Sequence, residues 1–327
     1  MIKFNYVGSK YRILDFIIPE IWPAKTLVDP FCGTCSVSYE AKKLGIHVVS
    51  GDNLLYPYMT AKAIVENNNH FLDDGDIQFL LSQKSTGRAF DIYGGIYLTR
   101  EVWDVIEAIR NGIEHITEEK KALALMALCA TTIYAHSSFG TFACKTNFYD
   151  GRHLVYTREQ AIGAFIKKCK QINSVVCEGS GVAVYGDAIE TIKNNRADVL
   201  YLDPPYVTML SNTNYYESYH LLENIIQNFK LELNNNSRLK IPIKKQKVVG
   251  RSNIHKFLCD IISSAINYKK ILLSYNENGI PCIDEMVSIF RNLGWNVTIK
   301  KKDILYYRTK NSKSKTGTEL LYIATRA

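Results

Sequence analysis

Long apolar runs are missing from this 327-residue sequence. The longest, ALALMALCATTIYA at residues 122–135, falls short of the roughly 18 residues that suggest a membrane span and is expected to form a buried helix. The opening stretch, MIKFNYVGSKYRILDF, has no uninterrupted apolar core, so no secretory leader is expected. The eight cysteines are scattered without a framework, which argues against a disulfide-stapled fold and fits reduced thiols in a cytoplasmic protein. Cys32 and Cys35 alone stand at the spacing of a redox or zinc pair. A zinc site normally needs a second such pair, which is lacking, so no metal is expected. No internal repeat, low-complexity tract or nuclease motif stands out.

What is present is an ordinary globular composition, 46% hydrophobic and 22% charged, with a formal net charge of +8. That charge favours an anionic partner such as nucleic acid without requiring one. TLVDPFCGTCSVSYEAKKLG reads as a short strand, a small-residue turn and a helix beginning near Ser36; IHVVSGDN follows as a second strand. This strand-helix-strand unit builds parallel sheets. Gly33 lets the backbone approach a ligand, and the helix start offers unpaired N–H groups there. Asp52 lies about 20 residues past the turn, where an acid meets nucleotide ribose hydroxyls; capping of a helix is the equal alternative until turn and acid are taken together.

Between the strand candidates the pattern turns helical, in REVWDVIEAIRNGI and EEKKALALMALCATTIYAH. A polar stretch after them, SSFGTFACKTNFYDGRHLVYTREQ, interleaves Lys145, Arg152, His153 and Arg158 with Phe139, Phe142, Phe148, Tyr149 and Tyr156. An insertion at residues 66–175 within a sheet domain of residues 1–65 and 176–327 accounts for this order. The sheet signal resumes in VAVYGDAIE, ADVLYLDPPY and KKILLSYNENG, and WNVTIKKKDILYY with TELLYIATR suggests a terminal hairpin. Residues 234–251 carry Arg238, Lys240, Lys244, Lys245, Lys247 and Arg251 without an acid, as a solvated loop or a nucleic-acid contact.

In VLYLDPPYVTM a buried strand runs into an acid, two prolines and an aromatic ring. Ligands of open parallel sheets bind outside the carboxyl ends of the strands, where Asp203 falls. Pro204 and Pro205 stiffen the backbone and leave carbonyls as acceptors, and Tyr206 offers a ring face. Acceptors beside a stacking ring suit a planar molecule carrying an NH2 group. The bland alternative is a tight turn over a packed aromatic.

DPPY at residues 203–206 is similar to the catalytic motif of amino-group DNA methyltransferases, and DPFCGTCS at residues 29–36 resembles their cofactor loop. YVGSK at residues 6–10 looks like the amino-terminal motif of the Dam-like, alpha-group adenine-N6 methyltransferases. Cys35 departs from the loop pattern, which usually has a second glycine there. The resemblance implies an α/β fold, a Rossmann-like class I methyltransferase sheet with a mostly helical target-recognition insertion. It implies S-adenosylmethionine held by Tyr6, Lys10, Asp29, Pro30, Phe31, Gly33, Ser36, Asp52, Asn53, Asp187 and Asp203, with Asp187 open to a simple strand-end cap. Asp203, Pro204, Pro205 and Tyr206 would grip a flipped adenine amine, favour a pyramidal nitrogen and stack the base, with no covalent enzyme intermediate. The DNA contacts are expected from the insertion, with Lys145, Asn147 and Arg152 as candidates, and from phosphate-binding bases elsewhere.

The resemblance also implies double-stranded DNA as substrate and the modification half of a restriction-modification system, with any cleaving partner on another polypeptide. A cytosine-C5 enzyme would need a nucleophilic cysteine, and Pro281-Cys282 falls outside that family's motif order. A cytosine-N4 or RNA amino-methyltransferase, and a non-catalytic DNA-binding protein on this scaffold, are the remaining alternatives.

Overall fold

A computed structural model describes residues 8–136, 142, 157–209, 214–237, 239–243, 249–306 and 315–326. Tyr6, Lys145, Asn147 and Arg152 lie outside the described residues, as do Arg238, Lys244, Lys245 and Lys247. Seven strands form one mixed sheet in the order β3 (Gly181–Tyr185), β2 (His47–Asp52), β1 (Thr26–Asp29), β4 (Val199–Leu202), β5 (Lys270–Asn276), β7 (Lys315–Thr325) and β6 (Asn296–Tyr306). The first five run parallel, while β7 is antiparallel to both β5 and β6. The expected terminal hairpin is therefore present, inserted so that its second strand pairs inside its first. This is an α/β fold consistent with a class I methyltransferase.

All four residues of β4 are buried, as an uninterrupted apolar run on a doubly covered parallel strand requires. Successive side chains point to opposite faces, so each strand feeds two cores. Leu27, Tyr201, Leu272 and Leu321 face one core; Val28, Leu200, Leu202, Leu273 and Tyr322 face the other. The first core is covered by α1 (Leu14–Ile21), α2 (Ser36–Lys43), α3 (Leu55–Ala61) and five helices between β2 and β3 in the chain. These are α4 (Asp74–Ser82), α5 (Arg88–Tyr93), α6 (Arg100–Ile113), α7 (Glu118–Ala135) and α8 (Arg158–Asn173). The second core is covered by α9 (Ala188–Asn194), α11 (Ile254–Ser264) and α12 (Ile283–Asn292).

The long apolar run is buried as expected: every residue from 122 to 133 in α7 is covered. Among the described residues no helix is long and apolar enough to cross a membrane. Polar side chains fasten the helices at their ends. Arg110 donates to the carbonyls of Ile225 and Ile226 at 2.7 Å each, closing the carboxyl end of α10 (Tyr215–Ile226). Buried Glu223 on α10 accepts from the Leu55 and Tyr56 N–H groups at 3.0 and 2.8 Å, satisfying donors that have no partner within α3. Burial pushes its carboxyl up to about 7.

Candidate active site

The chain runs outward from β1 through β2 to β3 and then crosses back to β4 on the other side of β1, so a crevice opens at the carboxyl ends of β1 and β4. Asp29 ends β1, Asp52 ends β2, Asp187 follows β3 and Asp203 follows β4. They line one cavity of about 520 Å³ together with Lys10, Pro30, Phe31, Gly33, Ser36, Asn53 and Pro205. Buried Pro204 and half-buried Tyr206 do not line this cavity.

The loop between β1 and α2 is shaped by two left-handed residues, Gly33 at φ 51° and Cys35 at φ 58°. The usual family glycine at position 35 suits that conformation; a cysteine there carries strain on the order of 1–2 kcal/mol. The Cys35 side chain is completely buried in the core and does not line the cavity, so the departure leaves the ligand space open. Burial raises the thiols of both Cys32 and Cys35, which keeps them protonated at neutral pH. The loop is tied down by Cys32 N–H donating to the Gly51 carbonyl at 2.9 Å and by Gly33 N–H donating to Asp52 Oδ2 at 3.2 Å.

The other Asp52 oxygen accepts from Leu54 N–H at 3.0 Å. The acid thus braces the loop and the turn before α3 while its carboxyl, raised to about 6 by burial, borders the cavity. Asp187 caps α9, accepting from Ile189 N–H at 2.8 Å, and is exposed at the cavity rim; the capping reading is therefore present in the geometry. Asp29 is 1% exposed. Ser38 Oγ donates to its Oδ2 at 2.6 Å, whereas its Oδ1 is buried with no partner. Burial pushes this carboxyl up to about 7. An orphaned acceptor of this kind is costly unless a ligand donates to it.

At the neighbouring corner Lys10 Nζ lies 2.6 and 2.7 Å from the two oxygens of Asp203, and it donates to the Gly8 carbonyl at 3.0 Å. Burial raises the Asp203 carboxyl, and the touching ammonium opposes that rise. The same Nζ sits 4.8 Å from the centre of the Tyr206 ring. Tyr206 packs its ring edge-on against Tyr275 at 5.1 Å, and its hydroxyl donates to Glu319.

Several residues at the site were not expected from the sequence. Glu319 is 2% exposed on β7, on the same strand face as apolar Leu321; an acid in a two-residue apolar alternation was the available signal. Asn253, Lys256, Phe257 and Asp260 from α11 and the turn before it also line the cavity. Tyr215 at the start of α10 lines it too, within NTNYYESYHLLENI, a segment whose sequence suits either a cover over the flipped base or a simple surface loop and helix. Phe257 meets Phe31 edge-to-face at 6.3 Å. These contacts follow from helix packing and left no local motif. Of the cavity residues five are aspartates, at positions 29, 52, 187, 203 and 260, against Lys10 and Lys256, and Lys256 is already bonded to Asp260 at 3.0 Å. The cavity is short of positive charge. A ligand carrying an ammonium, a cationic centre and ribose hydroxyls matches it.

Comparison with known proteins agrees with this geometry. The family model for D12 class N6 adenine-specific DNA methyltransferases matches residues 6–289. The chain is 25% identical to the Type II methyltransferase M2.HphI of Haemophilus parahaemolyticus, with 98% of this chain and 97% of that one covered. It is 26% identical to the Type II methyltransferase M.NlaIII of Neisseria lactamica, covering 89% and 88% respectively. With M.FokI of Planomicrobium okeanokoites the identity is also 26%, and the chain spans 51% of that enzyme's length. The chain belongs to the D12 class of N6 adenine-specific DNA methyltransferases.

Proposed function

We propose that this enzyme modifies one DNA site as half of a restriction-modification pair, using S-adenosylmethionine held across the ends of β1 and β2. The observation that carries the cofactor reading is the buried, unpartnered Asp29 Oδ1 in a cavity rich in acids. Asp29 would accept from the cofactor's ammonium, Asp52 or Asn53 from its ribose hydroxyls, and Phe31 and Phe257 would flank its base. When bound, S-adenosylmethionine supplies a methyl carbon made electrophilic by the attached sulfonium.

The chain's own residues act on the acceptor. An exocyclic amine is a poor nucleophile because its lone pair is delocalised into the ring. The Asp203 carboxylate and the Pro204 carbonyl accept its two N–H bonds and favour a pyramidal nitrogen. The prolines hold both acceptors in place, so little orientation entropy remains to be lost; alignment of this kind can recover on the order of 7–11 kcal/mol of barrier. The base must leave the duplex, at a cost of a few kcal/mol. Stacking on Tyr206 returns roughly 1–3 kcal/mol of it. Residues 66–175 would act as the target-recognition unit, with Lys145, Asn147 and Arg152 on the DNA. A DNA substrate and buried free thiols suit the cytoplasm.

The test is incubation of plasmid DNA with pure protein and S-adenosylmethionine, followed by modification-sensitive sequencing. N6-methyladenine at one recurring sequence is expected. N4-methylcytosine, or scattered marks without a common sequence, would contradict the proposal.

A further inference from the structure

We infer that Glu319 is a positioning residue for methyl transfer: it anchors the Tyr206 ring and takes up the Lys10 ammonium when Asp203 turns to the base amine. The inference rests on the reading of Asp203 and Tyr206 proposed above.

Lys10 engages both Asp203 oxygens, and an incoming amine must take at least one of them. The buried ammonium, 7% exposed, then keeps only part of its hold on that carboxylate, and a second anion beside it offsets the loss. Glu319 Oε1 stands 3.6 Å from Lys10 Nζ, outside hydrogen-bond length but within the range of an ion pair. A shift of about 1 Å would bring the two to the ordinary length of a charged hydrogen bond. The swap keeps the lysine paired throughout and leaves Asp203 free to accept from the base.

The second contact of Glu319 is the hydroxyl of Tyr206. A phenol ring is fixed by its edge contact and by its oxygen; here Tyr275 supplies the first and Glu319 the second. Glu319 pairs opposite Asn276 of β5 inside the sheet, so the anchor sits on rigid structure rather than on a loop. Both of its partners belong to the catalytic corner. A carboxylate buried in an interior strand solely for stability would be a poor choice, since an apolar residue there would avoid the desolvation cost.

The test uses the full chain and a duplex carrying the methylated sequence found by sequencing. Glu319→Gln keeps an acceptor for Tyr206 and loses the charge for Lys10. We expect single-turnover methyl transfer to fall tenfold or more, with equilibrium affinity for S-adenosylmethionine within twofold of wild type. A transfer rate within twofold of wild type, or a tenfold loss of cofactor affinity, would overturn the lysine role. Glu319→Leu removes both contacts, and adding Tyr206→Phe to it should slow transfer no further; multiplying losses would overturn the anchoring role. Should the leucine variant fail to fold, Tyr206→Phe added to Glu319→Gln answers the same question: the pair should slow transfer more than glutamine alone, and no added loss would overturn the anchor. Asp203→Ala separates the two levels. If it still transfers at the wild-type rate, the reading of the site fails; if it is inactive while Glu319→Gln is normal, only this inference fails.

Discussion

Two groups of acids in this molecule are treated in opposite ways. Along the outer strand β6, Lys300, Lys301 and Lys302 each meet one carboxylate, Glu20, Glu277 and Asp15 respectively. Here bases outnumber acids, since Glu20 also lies 3.9 Å from Lys270. Asp15 is 73% exposed, and its bond to Lys302 holds its carboxyl below the usual value. At the ends of β1, β2 and β4, and beside them on β7, the acids outnumber the bases, and Asp29 and Glu319 are all but closed to solvent. Asp203 and Glu319 share Lys10, while Asp29 keeps an oxygen with no partner. A chain with net charge +8 thus surrounds a cavity short of cations. The difference separates two tasks: the general positive charge suits phosphate, and the local deficit suits a cationic methyl donor.

The largest effect should come from removing the carboxylate that faces the base. Asp203→Ala should abolish transfer of tritiated methyl groups to DNA, a loss of at least the hundred- to thousandfold typical of one transition-state contact, with melting behaviour and secondary structure preserved. Methylation at the wild-type rate would remove the contrast between the two groups of acids. Next, Asp29→Asn should weaken S-adenosylmethionine binding by about 10- to 100-fold, since a charged hydrogen bond is worth about 1.5–3 kcal/mol. The same variant should melt at a higher temperature without ligand, because a buried charge has gone. Calorimetry and thermal melting read both, and a weaker apo protein would contradict the account.

A pH dependence sharpens the comparison further. A buried acid with a raised pKa holds its proton more tightly folded than unfolded, so stability falls as pH rises from its ordinary value to its folded value. Asp29, Glu223 and Glu319 are each raised to about 7 by burial. Burial lowers His136 to about 4 and lowers His220 as well, which opposes this trend below the ordinary value of 6.5. Above pH 6.5 that opposition fades, because the histidines lose their charge in the unfolded chain as well, while the acids still titrate toward 7. The ligand-free melting temperature should drop from pH 6.5 to 8, with most of the change near 7, and saturating cofactor should flatten the drop. A rise would contradict the buried-acid reading. The smallest effect belongs to the exposed Asp15–Lys302 pair: Lys302→Ala should change unfolding free energy by less than about 1 kcal/mol.

The parts of this design that lie close together in the chain are legible in the sequence alone. VLYLDPPY gives a buried strand, its end and a stiff acceptor corner within eight letters, because strand burial and proline geometry are local. The β1 turn and the acid ending β2 are legible for the same reason, and so is the hairpin of β6 and β7. The pairing of Tyr206 with Glu319, 113 residues later, is not. It depends on β7 running backward between β5 and β6, which no short-range pattern dictates. The Phe257 wall is hidden likewise: α11 shows an apolar face, but which face meets the cofactor loop is decided by packing. Cys35 stands out in the sequence as a departure, yet only the structure reveals why glycine is usual there and that the thiol stays out of the cavity.

The most direct test is a crystal structure of the enzyme with a duplex containing its site and a non-transferring analogue of the methyl donor. The account predicts the adenine outside the helix, its N6 within roughly 2.6–3.2 Å of an Asp203 oxygen, and Lys10 moved onto Glu319. An extruded adenine whose N6 meets other groups, with Asp203 still clasped by Lys10, would contradict it.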